Sequence, residues 1–310
     1  MTDDEPVPGP KSTREAVTDS VTVNGYKLGS LAARALPGPF SGAAVQMMGL
    51  TFAAGMRDKR AMIERHLRRV DPALGGFALR QAVKRSFDSY ARYYVESFRL
   101  PTLSSRAVNA GFTVEGYEQI PDALAHGKGV ILALPHLGGW EWAGRWLIER
   151  GYEMTVVVEP IEPPELFEWF ADLRQKLGMT VVPLGPRVAS TVLKALRENQ
   201  VVCLLCDRDL DRNGVPVDFF GERTTLPAGP ATLGLRTGAT VFPVGVYFTD
   251  RYNGHHAVVR PPLPTERQGG LREDVARVTQ VLATELEYLI RRAPEQWHLF
   301  QPNWPSDPGY

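Results

Sequence analysis

The stretch from residue 130 to residue 144 decides the fold, and it reads Val-Ile-Leu-Ala-Leu-Pro-His-Leu-Gly-Gly-Trp-Glu-Trp-Ala-Gly. Its first five residues form a continuous apolar run that ends at Pro135, which is typical of a strand buried on both faces. Gly138 and Gly139 then allow a tight turn into a helix that we expect to begin near Trp140. Open α/β sheets bind ligands beyond the carboxyl ends of their strands. The stretch therefore places His136 where a catalytic group is expected.

The same alternation of apolar runs and helical stretches continues along the chain. The apolar runs lie at 130–134, 155–158, 180–182, 201–205 and 241–248, and the helical stretches lie near 139–150, 164–177, 187–199, 228–237 and 271–292. This pattern predicts an α/β fold with a largely buried central sheet flanked by helices. Asn253-Gly254 between two apolar runs predicts a hairpin at one edge, which makes the sheet mixed. We expect this core to span residues 101–310.

The N-terminal third is predicted to hold a tail and a helical region. Residues 1–25 begin with a polar stretch that carries three early prolines, so we expect them to be disordered. Residues 28–56 are mostly apolar, carry Arg34 as their single charge and are broken by Pro37-Gly38-Pro39, which predicts two short helical pieces. Apolar residues recur every three or four positions over 77–99, which indicates an amphipathic helix.

Cations follow the apolar pieces, among them Arg57, Lys59 and Arg60. An apolar face next to cations suits an anionic membrane surface. A helix that packs on the core and exposes a charged face has the same pattern, so both interpretations stay open. We expect residues 26–100 to form a helical membrane-docking region.

Composition limits the partners of the protein. Lys plus Arg and Asp plus Glu each count 35 in 310 residues, so no net charge attracts the protein to nucleic acid. No stretch approaches the roughly 20 apolar residues that a spanning helix needs. The acidic start lacks the basic first part of a signal peptide. We therefore expect a peripheral protein on the cytoplasmic face of the cell membrane.

Two short patterns that suggest metal sites are weak. Cys203 and Cys206 lie three positions apart in a predicted strand, where they point to opposite faces, and no second Cys or His pair accompanies them. Buried thiols are the simpler interpretation. Asp209 to Gly214 matches the first half of a calcium loop, but its twelfth position is Phe220 instead of Glu. No metal site is predicted.

The His136 and Glu141 side chains are the predicted catalytic groups. Four residues separate them across the turn into a helix, a spacing that allows the carboxylate to reach one imidazole nitrogen while the other faces outward. A carboxylate in that place fixes the tautomer and stabilises the imidazolium that forms when a proton is taken. The pair suits general-base work on a hydroxyl. A surface His beside a Glu in the first turn of a helix is the alternative.

Further motifs follow this pair in a fixed order. They are Glu159; Asp172-Leu173-Arg174-Gln175-Lys176-Leu177-Gly178; Cys206-Asp207-Arg208-Asp209-Leu210; Val217-Asp218-Phe219-Phe220-Gly221-Glu222; Leu226-Pro227-Ala228-Gly229-Pro230-Ala231; Thr237-Gly238-Ala239; Pro243; and Trp297-His298-Leu299-Phe300-Gln301-Pro302 with Trp304. Together with the H-x4-E spacing, they resemble the glycerolipid and lysophospholipid acyltransferases. The resemblance is closer to the bacterial branch that holds lipid A secondary acyltransferases and phosphatidylinositol mannoside acyltransferases, and closest to the mannoside group. It covers about residues 25 to 305.

The resemblance implies transfer of a palmitoyl-type chain from acyl-CoA to a mannose hydroxyl of a phosphatidylinositol mannoside, without a metal or redox cofactor. It implies that His136 is the base and Glu141 its orienting partner. It also implies that Arg174 helps to hold the donor, while Glu159 and Asp207 support or line the site. Asp207 stands where that group usually has Glu.

Two more arginines join the predicted substrate-binding residues. Arg208 is adjacent to Asp207 in the same motif. Arg223 follows Phe219-Phe220-Gly221, and its guanidinium matches phosphate or sugar oxygens, although a solvated turn explains it equally well.

Three alternatives in function remain open from the sequence. A lipid-binding protein on the same scaffold would bind acyl-CoA without turnover. A hydrolase would use the same pair to activate water, but the chain has no G-x-S-x-G element to supply a covalent nucleophile. Within the acyltransferase interpretation, a lipid A-type or lysophospholipid acceptor is the runner-up.

Overall fold

The computed structural model describes residues 13–35 and 41–310 of the chain. The helices are α1 (Thr13–Ala35), α2 (Ser41–Gly55), α3 (Arg57–Val70), α4 (Gly76–Arg99), α5 (Ser105–Ala110), α6 (Gln119–Leu124), α7 (Trp140–Ile148), α8 (Pro164–Lys176), α9 (Val188–Arg197), α10 (Gly229–Thr237) and α11 (Leu271–Arg291). The strands are β1 (Phe112–Glu115), β2 (Val130–Leu134), β3 (Met154–Val158), β4 (Thr180–Pro183), β5 (Val201–Leu205), β6 (Val215–Phe219), β7 (Glu222–Leu226), β8 (Thr240–Phe248) and β9 (His255–Val259).

A mixed seven-stranded sheet forms the centre of the molecule, with strand order β1-β9-β8-β2-β5-β3-β4. Strand β2 is parallel to both of its neighbours, β5 and β8. Strands β8 and β9 pair antiparallel, because the chain turns back between them at the predicted Asn253-Gly254 hairpin. The predicted mixed α/β fold is thus confirmed. A separate two-stranded sheet, β6 with β7, was not predicted.

The central sheet is buried on both faces. All five residues of β2 are buried. Ile131 and Ala133 face a cluster with residues of α9, α10 and α11, whereas Leu132 and Leu134 face a cluster with residues of α5, α6 and α7. This two-sided burial is the reason that the strand sequences are continuous apolar runs.

Helices α1 to α4 pack beside this core. Helix α4 contacts α1, α2 and α3, and the buried Phe98 of α4 forms a cluster with Val23 of α1 and Phe170 of α8. Helix α1 begins at Thr13 and therefore includes residues 13–25, which the sequence assigned to a tail. Val23 packs in this aromatic cluster and connects α1 to α4 and α8. Residues 1–12 and the predicted break at 37–39 lie outside the described residues.

The predicted amphipathic helix over 77–99 corresponds to α4. None of the helices in residues 13–35 and 41–310 is both long enough and apolar enough to cross a bilayer.

Candidate active site

The carboxyl ends of β2 and β5 bring His136 and Asp207 together. In the parallel register, Leu134 at the end of β2 lies beside Leu205 at the end of β5. Each chain then continues for two residues, to His136 and to Asp207. The His136 Nδ1 atom lies 2.6 Å from Asp207 Oδ1, and the His136 main-chain N–H donates to Asp207 Oδ2 at 3.1 Å. The register of two neighbouring strands therefore builds a histidine–carboxylate pair.

Asp207 is fully buried and ionised. Burial would raise the pKa of its carboxyl, but the nearby His136 imidazole and hydrogen bonds from His136 and Trp297 lower that pKa to about 2. The Trp297 indole Nε1–H donates to Asp207 Oδ2 at 2.7 Å, and the Asn303 side-chain amide donates to the Asp207 main-chain oxygen at 3.2 Å. An ionised carboxylate only accepts hydrogen bonds, so the bonded Nδ1 of His136 must carry a proton.

The second ring nitrogen of His136 is therefore the one that can act as a base. In the neutral imidazole, a proton on Nδ1 leaves a lone pair on Nε2. Among residues 13–35 and 41–310, no hydrogen bond to Nε2 is found, and the side chain of His136 keeps 15% of its exposure. The Trp140 ring meets the imidazole edge-on, with 5.6 Å between ring centroids.

Glu141 does not orient His136, which corrects the pairing expected from the sequence. Glu141 Oε1 accepts hydrogen bonds from Arg174 Nε at 2.9 Å and Nη2 at 2.6 Å, and from the Tyr93 hydroxyl at 3.2 Å. The physical reason is that α7 begins at Trp140, so Glu141 lies in its first turn and faces the buried guanidinium on α8. That buried cation requires a counterion, and Asp207 takes the position beside the imidazole.

The guanidinium of Arg174 forms an ion pair with Glu141. Burial would lower the pKa of its guanidinium, but the adjacent Glu141 carboxylate raises it above its ordinary value. The Arg174 side chain is 17% exposed. Its expected role in holding the donor stays a prediction.

The other three predicted binding residues lie at different distances from the pair. Arg208 follows Asp207 directly and forms an ion pair with Glu159 at 2.6 Å, which connects the loops after β5 and β3. Arg223 lies on β7 opposite Asp218, and both side chains are about two-thirds exposed. The structure thus places the Glu159–Arg208 ion pair next to Asp207 and leaves Arg223 on the solvent-exposed face of the β6–β7 hairpin.

An apolar pocket lies between α7 and the sheet, and its wall includes Trp140, whose ring contacts the His136 imidazole. It encloses about 790 Å³ of space, a figure that includes its opening to solvent. Its walls come from α7 and from the sheet face that carries Leu132 and Leu134, and Trp140 also lines it. Of its described lining residues, only Glu141 and Arg174 carry a charge. The pocket therefore suits a hydrocarbon chain.

Cys203 is also part of the pocket wall. Both cysteines are free thiols, and burial raises the pKa of the Cys203 thiol to about 12. The two residues therefore contribute uncharged packing groups, in agreement with the sequence interpretation.

Sequence reasoning assigned no role to the C-terminal residues that surround the pair. His298 is buried, and burial together with the nearby His136 lowers the pKa of its imidazole to about 3. Its ring bonds to Ser89 through Nε2 at 2.9 Å. The Trp297-His298 motif could have indicated that these residues belong to the site. The contact of Trp297 with Asp207 could not be predicted, because the two residues lie 90 positions apart in the sequence.

The fold and this site define an α/β protein with a histidine–carboxylate pair at the carboxyl ends of two neighbouring strands and an apolar pocket between α7 and the sheet. The chain belongs to the bacterial lipid A biosynthesis acyltransferase family, whose model matches residues 14–306.

The chain is also similar to individual named acyltransferases. The phosphatidylinositol mannoside acyltransferase of Mycobacterium tuberculosis is 40% identical over 305 residues, which cover 96% of this chain and 93% of the relative. The protein of the same name from Mycolicibacterium smegmatis is 37% identical over 289 residues, covering 84% and 93%. The lipid A biosynthesis acyltransferase of Haemophilus influenzae is 28% identical over 187 residues, covering 59% and 55%.

Proposed function

We propose that this chain transfers a long-chain acyl group of the palmitoyl type from acyl-CoA to a hydroxyl of a glycolipid, namely a mannose of phosphatidylinositol mannoside. The observation that carries the proposal is the His136–Asp207 pair together with an apolar pocket whose wall includes Trp140, the residue whose ring contacts the imidazole. A base beside a hydrocarbon pocket is what an O-acyltransferase requires. The relatives named as phosphatidylinositol mannoside acyltransferases support the choice of acceptor.

The proposed chemistry uses His136 as general base and then as general acid. Nε2 takes the proton of the acceptor hydroxyl as its oxygen attacks the thioester carbonyl carbon. Asp207, bonded to Nδ1–H, stabilises the imidazolium that forms. When the tetrahedral intermediate collapses, the carbon–sulfur bond breaks and the departing sulfur receives the proton from Nε2. The products are an ester and a free thiol, and the imidazole returns to its neutral form.

Other residues of the site are proposed to bind the two substrates and to form the wall of the pocket. The apolar pocket holds the acyl chain, and Glu141 keeps the charge of Arg174 neutralised in its wall. Arg174 lines the pocket and Arg208 directly follows Asp207. Both are proposed to meet the donor phosphates or the acceptor headgroup, because guanidinium groups match phosphate oxygens. Glu159 holds Arg208 in place.

The N-terminal helices are proposed to hold the enzyme at the cytoplasmic face of the membrane. Leu28 and Leu31 of α1 and Met47 and Leu50 of α2 are more than half exposed, although they are apolar. Exposed apolar side chains on neighbouring helices are typical of an interaction surface.

Vesicle sedimentation tests this attachment. Leu28→Glu combined with Leu31→Glu should weaken binding to anionic vesicles. Tyr288→Glu, on an exposed position of α11, is the matched control and should bind as the unmodified protein does. Equal binding by all three proteins would remove α1 from the proposed surface.

Incubation with labelled palmitoyl-CoA tests the function. Parallel reactions contain phosphatidylinositol mannoside, a lipid A precursor, a lysophospholipid or no acceptor, and the labelled lipid is identified. The lipid A precursor is included because of the Haemophilus relative. Label on the mannoside supports the proposal, and label on another lipid changes the acceptor. Binding without transfer indicates a lipid-binding protein, and label released only as free acid indicates a hydrolase.

Two variants make the assay specific to the site. His136→Ala removes the base and should lower transfer on the order of 10³-fold. His126→Ala removes an exposed histidine that lies before β2 and should retain full transfer.

A further inference from the structure

The C-terminal segment from Gln296 to Asn303 packs against the histidine–carboxylate pair. Gly138 N–H donates to the Gln296 main-chain oxygen at 2.9 Å, and His298 N–H donates to the His136 main-chain oxygen at 2.7 Å. Leu137 and Trp297 thus form an antiparallel bridge. The loop that carries His136 is therefore joined by two main-chain hydrogen bonds to a segment about 160 positions later.

The Trp297 indole makes the one side-chain contact from this segment to the Asp207 carboxylate among the described residues. Its Nε1–H donates to Oδ2 at 2.7 Å. That oxygen also accepts the His136 main-chain N–H, while Oδ1 accepts from the ring. Each carboxylate oxygen thus has fixed partners, so the carboxylate cannot rotate without breaking a charge-assisted hydrogen bond.

We infer that Trp297 is a positioning residue: its indole N–H holds the Asp207 carboxylate in the orientation that aims Oδ1 at Nδ1 of His136. The inference rests on the proposed function for its kinetic consequence, but the hydrogen bonds that it describes belong to the folded chain itself. Because Trp297 touches the carboxylate and not the reacting atoms, it acts through Asp207.

Packing alone does not explain an indole at this position. The ring lies among Phe220, Trp304 and His66, and Trp297 is 4% exposed, so a phenyl ring could fill most of the same space. Only the indole also supplies a hydrogen-bond donor. A buried carboxylate needs donors to remain ionised, and the pKa of Asp207 is lowered to about 2 in spite of burial, which agrees with a donor in this place.

Another buried tryptophan provides a matched control. Trp304 is fully buried, and its indole N–H donates to the Phe219 main-chain oxygen at 3.0 Å. Trp297→Phe and Trp304→Phe therefore each delete one buried indole hydrogen bond and part of a ring. They differ in whether the acceptor is the Asp207 carboxylate.

Kinetics and proton NMR of these two variants test the inference. Trp297→Phe should lower kcat on the order of 10- to 100-fold, with little change in KM for the donor, because a hydrogen bond to a charged group is lost. The downfield proton signal of His136 Nδ1–H should shift or broaden, and this signal is recorded without substrate. Trp304→Phe should lower the melting temperature but keep kcat and the proton signal.

Three results would overturn the inference. The first is a folded Trp297→Phe protein with unchanged kcat and an unchanged Nδ1–H signal, and the second is an equal loss of kcat in both variants. If Trp297→Phe does not fold, 3-benzothienyl-alanine at position 297 keeps the bicyclic shape and replaces the N–H by sulfur; the third is unchanged kcat and signal in that protein. Absence of acyl transfer in the unmodified protein would instead refute the proposed function, and the NMR comparison would still decide the role of Trp297.

Discussion

Replacing Asp207 by Asn tests the pairing that the structure assigns to His136. Within the described residues, the groups that bond to the Asp207 side chain are three N–H donors: the His136 ring, the His136 main chain and Trp297. Asn has one acceptor oxygen and an NH₂ group that only donates. If the NH₂ faces the ring, the imidazole must place its lone pair on Nδ1 and its proton on Nε2, which is the wrong tautomer for a base.

The structure gives the size of the effect. The surroundings of Asp207 move its pKa from 3.8 to about 2, so they favour the charged form by about 2 kcal/mol at roughly 1.4 kcal/mol per unit. The Asp207→Asn change removes this negative charge from beside the imidazolium that forms, and the tautomer change adds to the loss of rate. We expect Asp207→Asn to lower kcat about 10²- to 10³-fold. Saturating palmitoyl-CoA and a thermal melt of the same preparation separate lost chemistry from lost folding.

A double variant makes this test specific to the pair. Residues that act as one unit have non-additive effects, so adding Asp207→Asn to His136→Ala should cost little more than His136→Ala alone. A folded Asp207→Asn protein with at least half of the normal kcat would refute the assignment. A loss in Glu141→Gln that disappears in the His136→Ala background would return the orienting role to Glu141.

Three further predictions concern the Glu141–Arg174 ion pair, the stability of the fold at acidic pH and the apolar pocket. Glu141→Gln leaves the Arg174 cation buried without its counterion and should lower the free energy of unfolding by about 3 kcal/mol in denaturant titration; Arg174→Met in the same chain should restore most of it, and no recovery would contradict the pairing. Burial would raise the pKa of Asp307, but hydrogen bonds from His66 and the main chain hold it well below its usual range. Its ionisation therefore stabilises the fold above the unfolded-state pKa near 3.9, and this contribution is lost as pH falls toward the folded-state pKa. Asp307→Asn should flatten the decline of melting temperature below about pH 4, and an unchanged slope would count against it. Ala143→Leu adds bulk to the pocket wall and should lower kcat/KM for palmitoyl-CoA relative to octanoyl-CoA, by about 4-fold per excluded methylene; an equal change for both donors would show that the chain does not occupy the pocket.

The sequence predicted the elements of the sheet more fully than their arrangement. Continuous apolar runs at 130–134 and 201–205 match β2 and β5 residue for residue, because burial on both faces leaves a clear signal. The short strand β1 and the β6–β7 hairpin were missed. Strand β1 has four residues, and the hairpin alternates exposed and buried positions over only five residues per strand.

Site residues were predicted individually, but their partners were not. His136, Glu141, Arg174 and Asp207 were all singled out, and the structure places them in two pairs, His136 with Asp207 and Glu141 with Arg174. Spacing along the chain favoured Glu141 as the partner of His136 because it is near in sequence. The true partner lies 71 residues away, and only the order of strands in the sheet makes β5 a neighbour of β2. That order is a property of the folded core and leaves no local pattern.

Strand β2 connects the two halves of the proposed reaction. Leu134 forms part of the pocket wall, and His136 follows two residues later, so one buried strand fixes the base relative to the hydrocarbon site. Met154, also in the wall, lies level with Val130 through the register of β5. This is four residues below Leu134, or roughly 13 Å at the rise of a strand. If the acyl chain lies along this wall with its carbonyl beside His136, its far end reaches the region of Met154. Residues near Met154 then limit the length of the chain that fits. Changes near Met154 should then alter which donor is preferred, whereas changes beside His136 should slow all donors alike.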